Sequence, residues 1–270
     1  MKILKKINKR GPKHGNLLGI SIDSTNRAEL LKSITSKLDV SEKFYILTPN
    51  PEIILKATKD WLLKKTIKRA TFSVPDGIGI KYAFKFLHNE DVEIIKGREL
   101  FLDILEIADK RNLRVYLFGG EFGESEKAKI VLEKTYKNII FKTNHQFPEY
   151  NKNCKPINLL NRKLHKSVIG SVKMFEPDLI FVAMKTPKQE KWIYRNFFRL
   201  SATGAMAVGG TFNYIAGSMK LPLEWMTKLG VEWLYRLIQE PRRIGRIINA
   251  VIIFPWKIFL AKLLKQHFES

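Results

Sequence analysis

Cysteine is almost absent from this chain. Cys154 stands alone among 270 residues, so no internal disulfide can form and a thiolate metal cluster has no ligands. A single cysteine suits a reducing cytoplasm. Histidine is scarce and scattered, at His14, His88, His145, His165 and His267. There is no His-Glu-x-x-His, no Cys-x-x-Cys and no Asp-x-Asp pair, so a dedicated metal site is unsupported, as is a Gly-x-Ser-x-Gly nucleophile. No window reaches about 18 uninterrupted apolar residues, which argues against a membrane-spanning helix. The segment 1–13 is basic but leads into Gly11-Pro12 instead of an apolar run, unlike a secretory signal. Acidic residues are also few, 26 against 48 lysines and arginines. The resulting net charge of +22 calls for an anionic partner: nucleic acid, an acidic membrane surface or a phosphorylated substrate.

What is present is ample for a core, with 45% apolar residues in a chain long enough for one large domain and an appendage. Short apolar runs alternate with helical patterns. Leu17 to Ile22 reads as a strand before a helix at Ala28 to Leu38, and Phe44 to Leu47 as a strand before a helix at Ile53 to Leu63. Further strands are expected at Val115 to Phe118, Ile139 to Lys142, Asp178 to Met184 and Ala205 to Val208, with helices at Ile80 to Leu87, Leu100 to Arg111 and Ser125 to Tyr136. Residues 149–166 are polar and read as a loop and helix. The alternation predicts an α/β fold with a Rossmann-like parallel sheet covered on both faces. A core over 1–217 is then followed by a C-terminal helical appendage over 218–270.

Polar groups gather where strands end. The stretch Thr71 to Ile80 breaks at Pro75, which cannot donate to a strand ladder, and places Asp76 just beyond a strand end. Ligands of open α/β sheets bind beyond the carboxyl ends of strands, so Asp76 is a candidate catalytic group; the alternative is a cap on the following helix. Thr48 and Asn50 flank Pro49 at another strand end, where Asn50 can equally cap a helix. Gly119 and Gly120 open a helix in the manner of phosphate-binding turns, although the full dinucleotide fingerprint is missing. One strand-end acid, polar side chains and a positive field suggest base-assisted transfer to a hydroxyl from a phosphorylated donor. From about Ser218, Trp225, Trp233, Leu234, Trp256 and Phe259 mingle with Arg236, Arg242, Arg243, Arg246, Lys257 and Lys262, a mixture suited to a membrane interface.

These stretches resemble a known family. Thr48-Pro49-Asn50-Pro51-Glu52, Pro75-Asp76-Gly77-Ile78-Gly79, Phe118-Gly119-Gly120, Pro187-Lys188-Gln189-Glu190-Lys191-Trp192, Val208-Gly209-Gly210, Leu229 to Arg236 and Gln239 to Arg243 follow, in order, the pattern of the WecG/TagA/CpsF glycosyltransferases. The resemblance implies an inverting, metal-independent enzyme without a cofactor. It would move an N-acetylhexosamine-type sugar, N-acetylmannosamine or its uronic acid foremost, from a UDP donor to a polyprenyl-diphosphate-linked sugar in cell-surface polysaccharide or teichoic acid synthesis.

It also implies Asp76 as general base, with Thr48, Asn50, Gly77, Gly119, Gly120, Lys188, Gln189, Gly209 and Gly210 in the substrate pocket. Arg236, Arg242, Arg243 and Arg246 would face the acceptor or an anionic membrane, placing the protein peripherally on the cytoplasmic side, in an optional homo-oligomer. Ile94 replaces the arginine usual three residues before Gly97, and Asn213 an aspartate, so phosphate contact is expected from Lys96 or Arg98. Two other readings compete. A nucleic-acid-binding module would use the positive charge, but the lysines lack a recognition motif and no nucleic acid partner is expected. A Rossmann oxidoreductase would use Gly119-Gly120, and NAD(P)H binding would discriminate it.

Overall fold

The structure, a computed structural model, describes residues 14–269 apart from 121–122, 145–146, 224 and 227–230; of residues 236, 243 and 265–269 it describes the backbone alone. His145, Leu229 and the basic segment 1–13 therefore lie outside the described residues. The described residues form eight strands: β1 (His14–Leu17), β2 (Ile20–Asp23), β3 (Phe44–Leu47), β4 (Phe72–Ser73), β5 (Arg114–Gly119), β6 (Ile140–Thr143), β7 (Leu179–Ala183) and β8 (Gly204–Ala207). The last six form one sheet in the order β4-β3-β8-β7-β5-β6, parallel throughout. Every residue of β3, β7 and β8 is buried, because helices cover both faces and leave no solvent side to alternate towards.

The pleat divides each strand between two cores. Tyr45, Leu47, Tyr116 and Phe118 point to one face, where they meet α2 (Pro51–Lys59), α3 (Trp61–Lys68), α4 (Ile78–His88), α7 (Leu159–Phe175) and α8 (Lys188–Asn196). Phe44, Ile46, Val115 and Leu117 point to the other, against α1 (Arg27–Asp39), α5 (Gly97–Lys110) and α6 (Glu124–Thr135).

Local chemistry explains three departures from the sequence reading. The apolar run Leu17 to Ile22 is a hairpin, since Leu18 and Gly19 take φ of 54° and 81° and Gly19 N–H donates to Asn16 Oδ1 at 2.7 Å. The helix expected over Ile53 to Leu63 is two. Asp60 leaves helical geometry and its carboxylate accepts from Leu63 N–H at 3.1 Å, capping α3. The polar region 149–166 yields a longer helix than its composition suggests: α7 starts behind the Asn158 cap and runs 17 residues to Phe175.

Beyond the short helix α9 (Thr211–Ile215), helical segments cover Glu232–Gln239, Ile244–Ile248 and Phe254–Glu269, the last two joined by a wider turn at Asn249–Ile253. Among the described residues, Ile244–Leu264, 21 residues, is long and apolar enough to cross a membrane. The expectation of no such length rested on uninterrupted runs, whereas this helix tolerates Arg246, Lys257 and Lys262. It is seated on the protein, with Phe254 and Ile258 buried in the core beside α2 and α4. Lys262 donates to the carbonyl of Phe86 at 2.9 Å and sits over its ring. Its other face leaves Ile252, Trp256 and Leu264 about 60% exposed.

Candidate active site at the carboxyl edge of the sheet

Parallel strands end together, so the loops after β3, β4, β5, β7 and β8 share one edge. The loop after β4 is tied to the loop after β3: Val74 N–H donates to Leu47 O at 2.8 Å and Asp76 N–H to Pro49 O at 3.1 Å. Pro75 accepts in turn from Ile95 N–H at 3.1 Å, which brings the start of α5 alongside. Asp76 is thus held at the edge by its own backbone bond and that of Pro75. The cap position of α4 is taken by Gly77, at φ 88°.

Asn50 does cap: its Oδ1 accepts from Ile53 N–H at 3.0 Å, with Pro51 in the first helical turn. Thr48 is half-buried, its Oγ1 against Gly97, where a β-carbon would come within 3.0 Å of it. The uncapped N-terminus of α5 therefore opens beside Thr48.

The glycines separate by what surrounds them. Gly119 has φ 98°, and a β-carbon there would lie 2.1 Å from the carbonyl oxygen of Ala183, so the close approach of β5 and β7 requires it. Gly120 N–H donates to that carbonyl at 2.7 Å. A β-carbon on Gly209 or Gly210 would instead meet nothing within 4 Å, so both have open space on the side-chain face.

The Pro187 to Trp192 segment turns inward. Sequence reasoning expects Gln189 to face the crevice, yet it is 5% exposed, with Oε1 accepting from Gly209 N–H at 2.9 Å and Met184 N–H at 3.3 Å. It bridges the ends of β7 and β8. Glu190 is also buried, and its Oε1 accepts from Gln189 Nε2 and from the Thr186 hydroxyl, both at 3.0 Å. Burial pushes the Glu190 carboxyl above the usual carboxylate range. Lys191 is fully buried and donates to Asp60 Oδ2 at 2.5 Å and Lys152 O at 2.8 Å. Lys188, the first residue of α8, stays half-exposed on the edge.

A family model described as the WecG/TagA/CpsF glycosyl transferase family matches residues 15–268. The chain belongs to this family. An enzyme of Staphylococcus aureus strain MW2, named N-acetylglucosaminyldiphosphoundecaprenol N-acetyl-beta-D-mannosaminyltransferase, is 31% identical over 249 residues, 92% of both chains. Its counterparts in strains NCTC 8325 and MRSA252 are 31% and 30% identical over the same length.

In this glycosyltransferase the C-terminal segment meets the site edge through two ion pairs. Lys96, preceding α5, binds Glu232, and Arg246 Nε donates to both Glu52 oxygens at 2.9 Å. Glu52, in the first turn of α2, also accepts from Lys56 at 2.6 Å. Arg246 is thus engaged by protein, whereas Arg242 is exposed; the side chains of Arg236 and Arg243 lie outside the described residues. Arg98 stacks over Tyr214 at 5.6 Å, and Ile94 packs against the core. Sequence reading missed Glu52, Lys56 and Glu190 as site neighbours. Glu52 and Glu190 lie inside the quoted motifs and Lys56 one helical turn beyond, but the contacts of Glu52 and Lys56 reach far along the chain.

Proposed function

We propose that this glycosyltransferase moves an N-acetylmannosamine-type sugar, or its uronic acid, from a UDP donor to a polyprenyl-diphosphate-linked sugar, with inversion and without a metal. The observation that carries the reading is Asp76, held by its own backbone and that of Pro75 beside Thr48 and the uncapped start of α5. In a single displacement the acceptor hydroxyl attacks the anomeric carbon and passes its proton to Asp76, while the bond to the UDP oxygen breaks and the electron pair leaves on the diphosphate. One displacement on an alpha-linked nucleotide sugar would give a beta linkage, the one in the names of the relatives.

The leaving diphosphate needs positive charge. Among the described residues no group of three or more His, Cys, Asp and Glu could hold a metal ion. Protein donors can take that part: the free N–H groups of the first turn of α5, with Lys96 and Arg98 at its start. The open space beside Gly209 and Gly210 admits the donor closely, and Lys188 lies on the same edge.

The acceptor's lipid stays in the bilayer in this reading. The helix Ile244–Leu264 lies along the cytoplasmic membrane face, one side on the core and Ile252, Trp256 and Leu264 towards lipid, with Arg242 near the headgroups. Screening UDP-sugars against a short-chain lipid-diphosphate-linked N-acetylglucosamine, with UDP release as readout, tests this. UDP release that requires both substrates and survives EDTA is expected. No release with any donor, or tight salt-sensitive nucleic acid binding instead, would overturn it.

A further inference from the structure

Glu190 sits one residue beyond the side chain that bridges β7 and β8, and no step of the transfer uses it. Gln189 has a two-sided amide, and only one orientation lets its oxygen accept from Gly209 and Met184. Flipped, the amide would turn its NH₂ group towards two backbone N–H donors, and all three bonds would be lost. The group that selects the working orientation is the Glu190 carboxyl, which accepts from Gln189 Nε2 at 3.0 Å. Thr186 fixes that carboxyl from the other side by donating to the same oxygen at 3.0 Å. Glu190 Oε2 is buried without a hydrogen-bond partner.

We propose that Glu190 is a positioning residue that acts through Gln189 to hold the Gly209-Gly210 loop in the shape that receives the donor. This deepens the transferase reading and rests on it. Three observations support it. Gln189 and Glu190 are 5% and 2% exposed, so water does not compete for their bonds. Gly209 has φ 55° and lies in open space on its side-chain face, so its N–H bond to Gln189 is the restraint that fixes it. Burial raises the Glu190 carboxyl above its ordinary range, opposed first by the hydrogen bonds it accepts from Gln189, its own backbone and Thr186 and then by the Lys56 ammonium, which donates to Thr186 O at 3.4 Å. A glutamine would present one acceptor oxygen at the same place as Glu190 Oε1, so the role as proposed needs an oriented oxygen and not a charge.

The test pairs Glu190→Gln with Glu190→Leu in the full chain. One readout needs no activity: amide hydrogen exchange at Gly209 and Met184. Glu190→Leu is expected to speed exchange at both by about fivefold or more, the loss of a buried hydrogen bond, while Glu190→Gln leaves it within about twofold of wild type. The second readout is UDP release, where Glu190→Leu lowers kcat/KM for the donor by about 10-fold to 100-fold and Glu190→Gln restores it. Gln189→Ala should match Glu190→Leu, and the double variant should be no worse than either.

Unchanged exchange and kinetics in Glu190→Leu would overturn the proposal. So would a Glu190→Gln variant as impaired as Glu190→Leu, since the charge would then be what matters. If Glu190→Leu fails to fold, Glu190→Gln and Gln189→Ala decide alone: the first must keep wild-type exchange and the second must lose it. A wild-type chain that releases no UDP while these exchange differences persist would refute the transferase reading and leave the loop restraint standing.

Discussion

Removing the Asp60 carboxylate should cost far more stability than removing the lysine it serves. Lys191 is fully buried, and its ammonium has two partners, Asp60 Oδ2 at 2.5 Å and Lys152 O at 2.8 Å. In Asp60→Ala one carbonyl is left to an ammonium that is fully buried in the wild-type chain. Stranding one member of a buried pair costs about 3–5 kcal/mol. Asp60 also caps α3 through its other oxygen, which adds about 1 kcal/mol. The sum, about 4–6 kcal/mol, is a large share of the roughly 5–15 kcal/mol that holds a typical protein folded.

Lys191→Met removes the charge and keeps the volume. Asp60, 29% exposed, can then be hydrated and still cap its helix, so the expected cost is below about 2 kcal/mol. Asp60→Asn should fall between, since the cap survives. Adding Lys191→Met to Asp60→Ala should recover about 2–3 kcal/mol of the loss. Urea unfolding followed by circular dichroism measures all four. At about 2–4 °C per kcal/mol, Asp60→Ala should melt about 8–24 °C lower. If Lys191→Met proved as damaging as Asp60→Ala, or the double variant recovered nothing, the buried charge would not be the source of the cost.

Asp76→Asn should lower turnover about 10²–10⁴-fold in the UDP-release assay while leaving the melting temperature nearly unchanged; near-normal turnover removes Asp76 from the base role. Cys154 should resist modification: burial pushes its thiol up to about 12, so at pH 8 alkylation of the native chain, followed by mass spectrometry, should run at least about 100-fold slower than in urea. Equal rates would show that the site opens freely. Arg242→Glu changes the charge at an exposed position by two, about 2 kcal/mol at an anionic surface. Co-sedimentation with anionic vesicles at low salt should drop about 30-fold and binding to neutral vesicles not at all, whereas an equal loss on both would rule out an electrostatic contact.

How much of this was legible beforehand follows the range of the interactions. Runs such as Phe44 to Leu47 and Leu179 to Ala183 announce buried strands because a strand covered on both faces must be apolar throughout. Breakers at Pro49, Pro75 and Gly209 mark where strands end, and parallel strands end on one edge, so Thr48, Asp76 and Gly209 could be placed at a common site from local chemistry. The resemblance then named the chemistry. Other features depend on partners far apart in the chain, which no local pattern encodes. Arg246 finds Glu52 across 194 residues, Lys96 finds Glu232 across 136, and Lys191 finds Asp60 across 131.

Gln189 shows the division most clearly. Its type and its position after a strand suggest a side chain reaching for substrate, and only packing reveals that two backbone amides and Glu190 already occupy it. The amphipathic C-terminal helix divides the same way. Its composition suits a membrane surface, but which side is left exposed depends on Phe254 and Ile258 being claimed by the core. Short-range constraints, those of backbone geometry and burial period, were therefore set by the sequence itself. Buried charge pairing and the direction each polar group faces were decided by the tertiary structure, because desolvation is a property of the assembled surroundings and not of the residue.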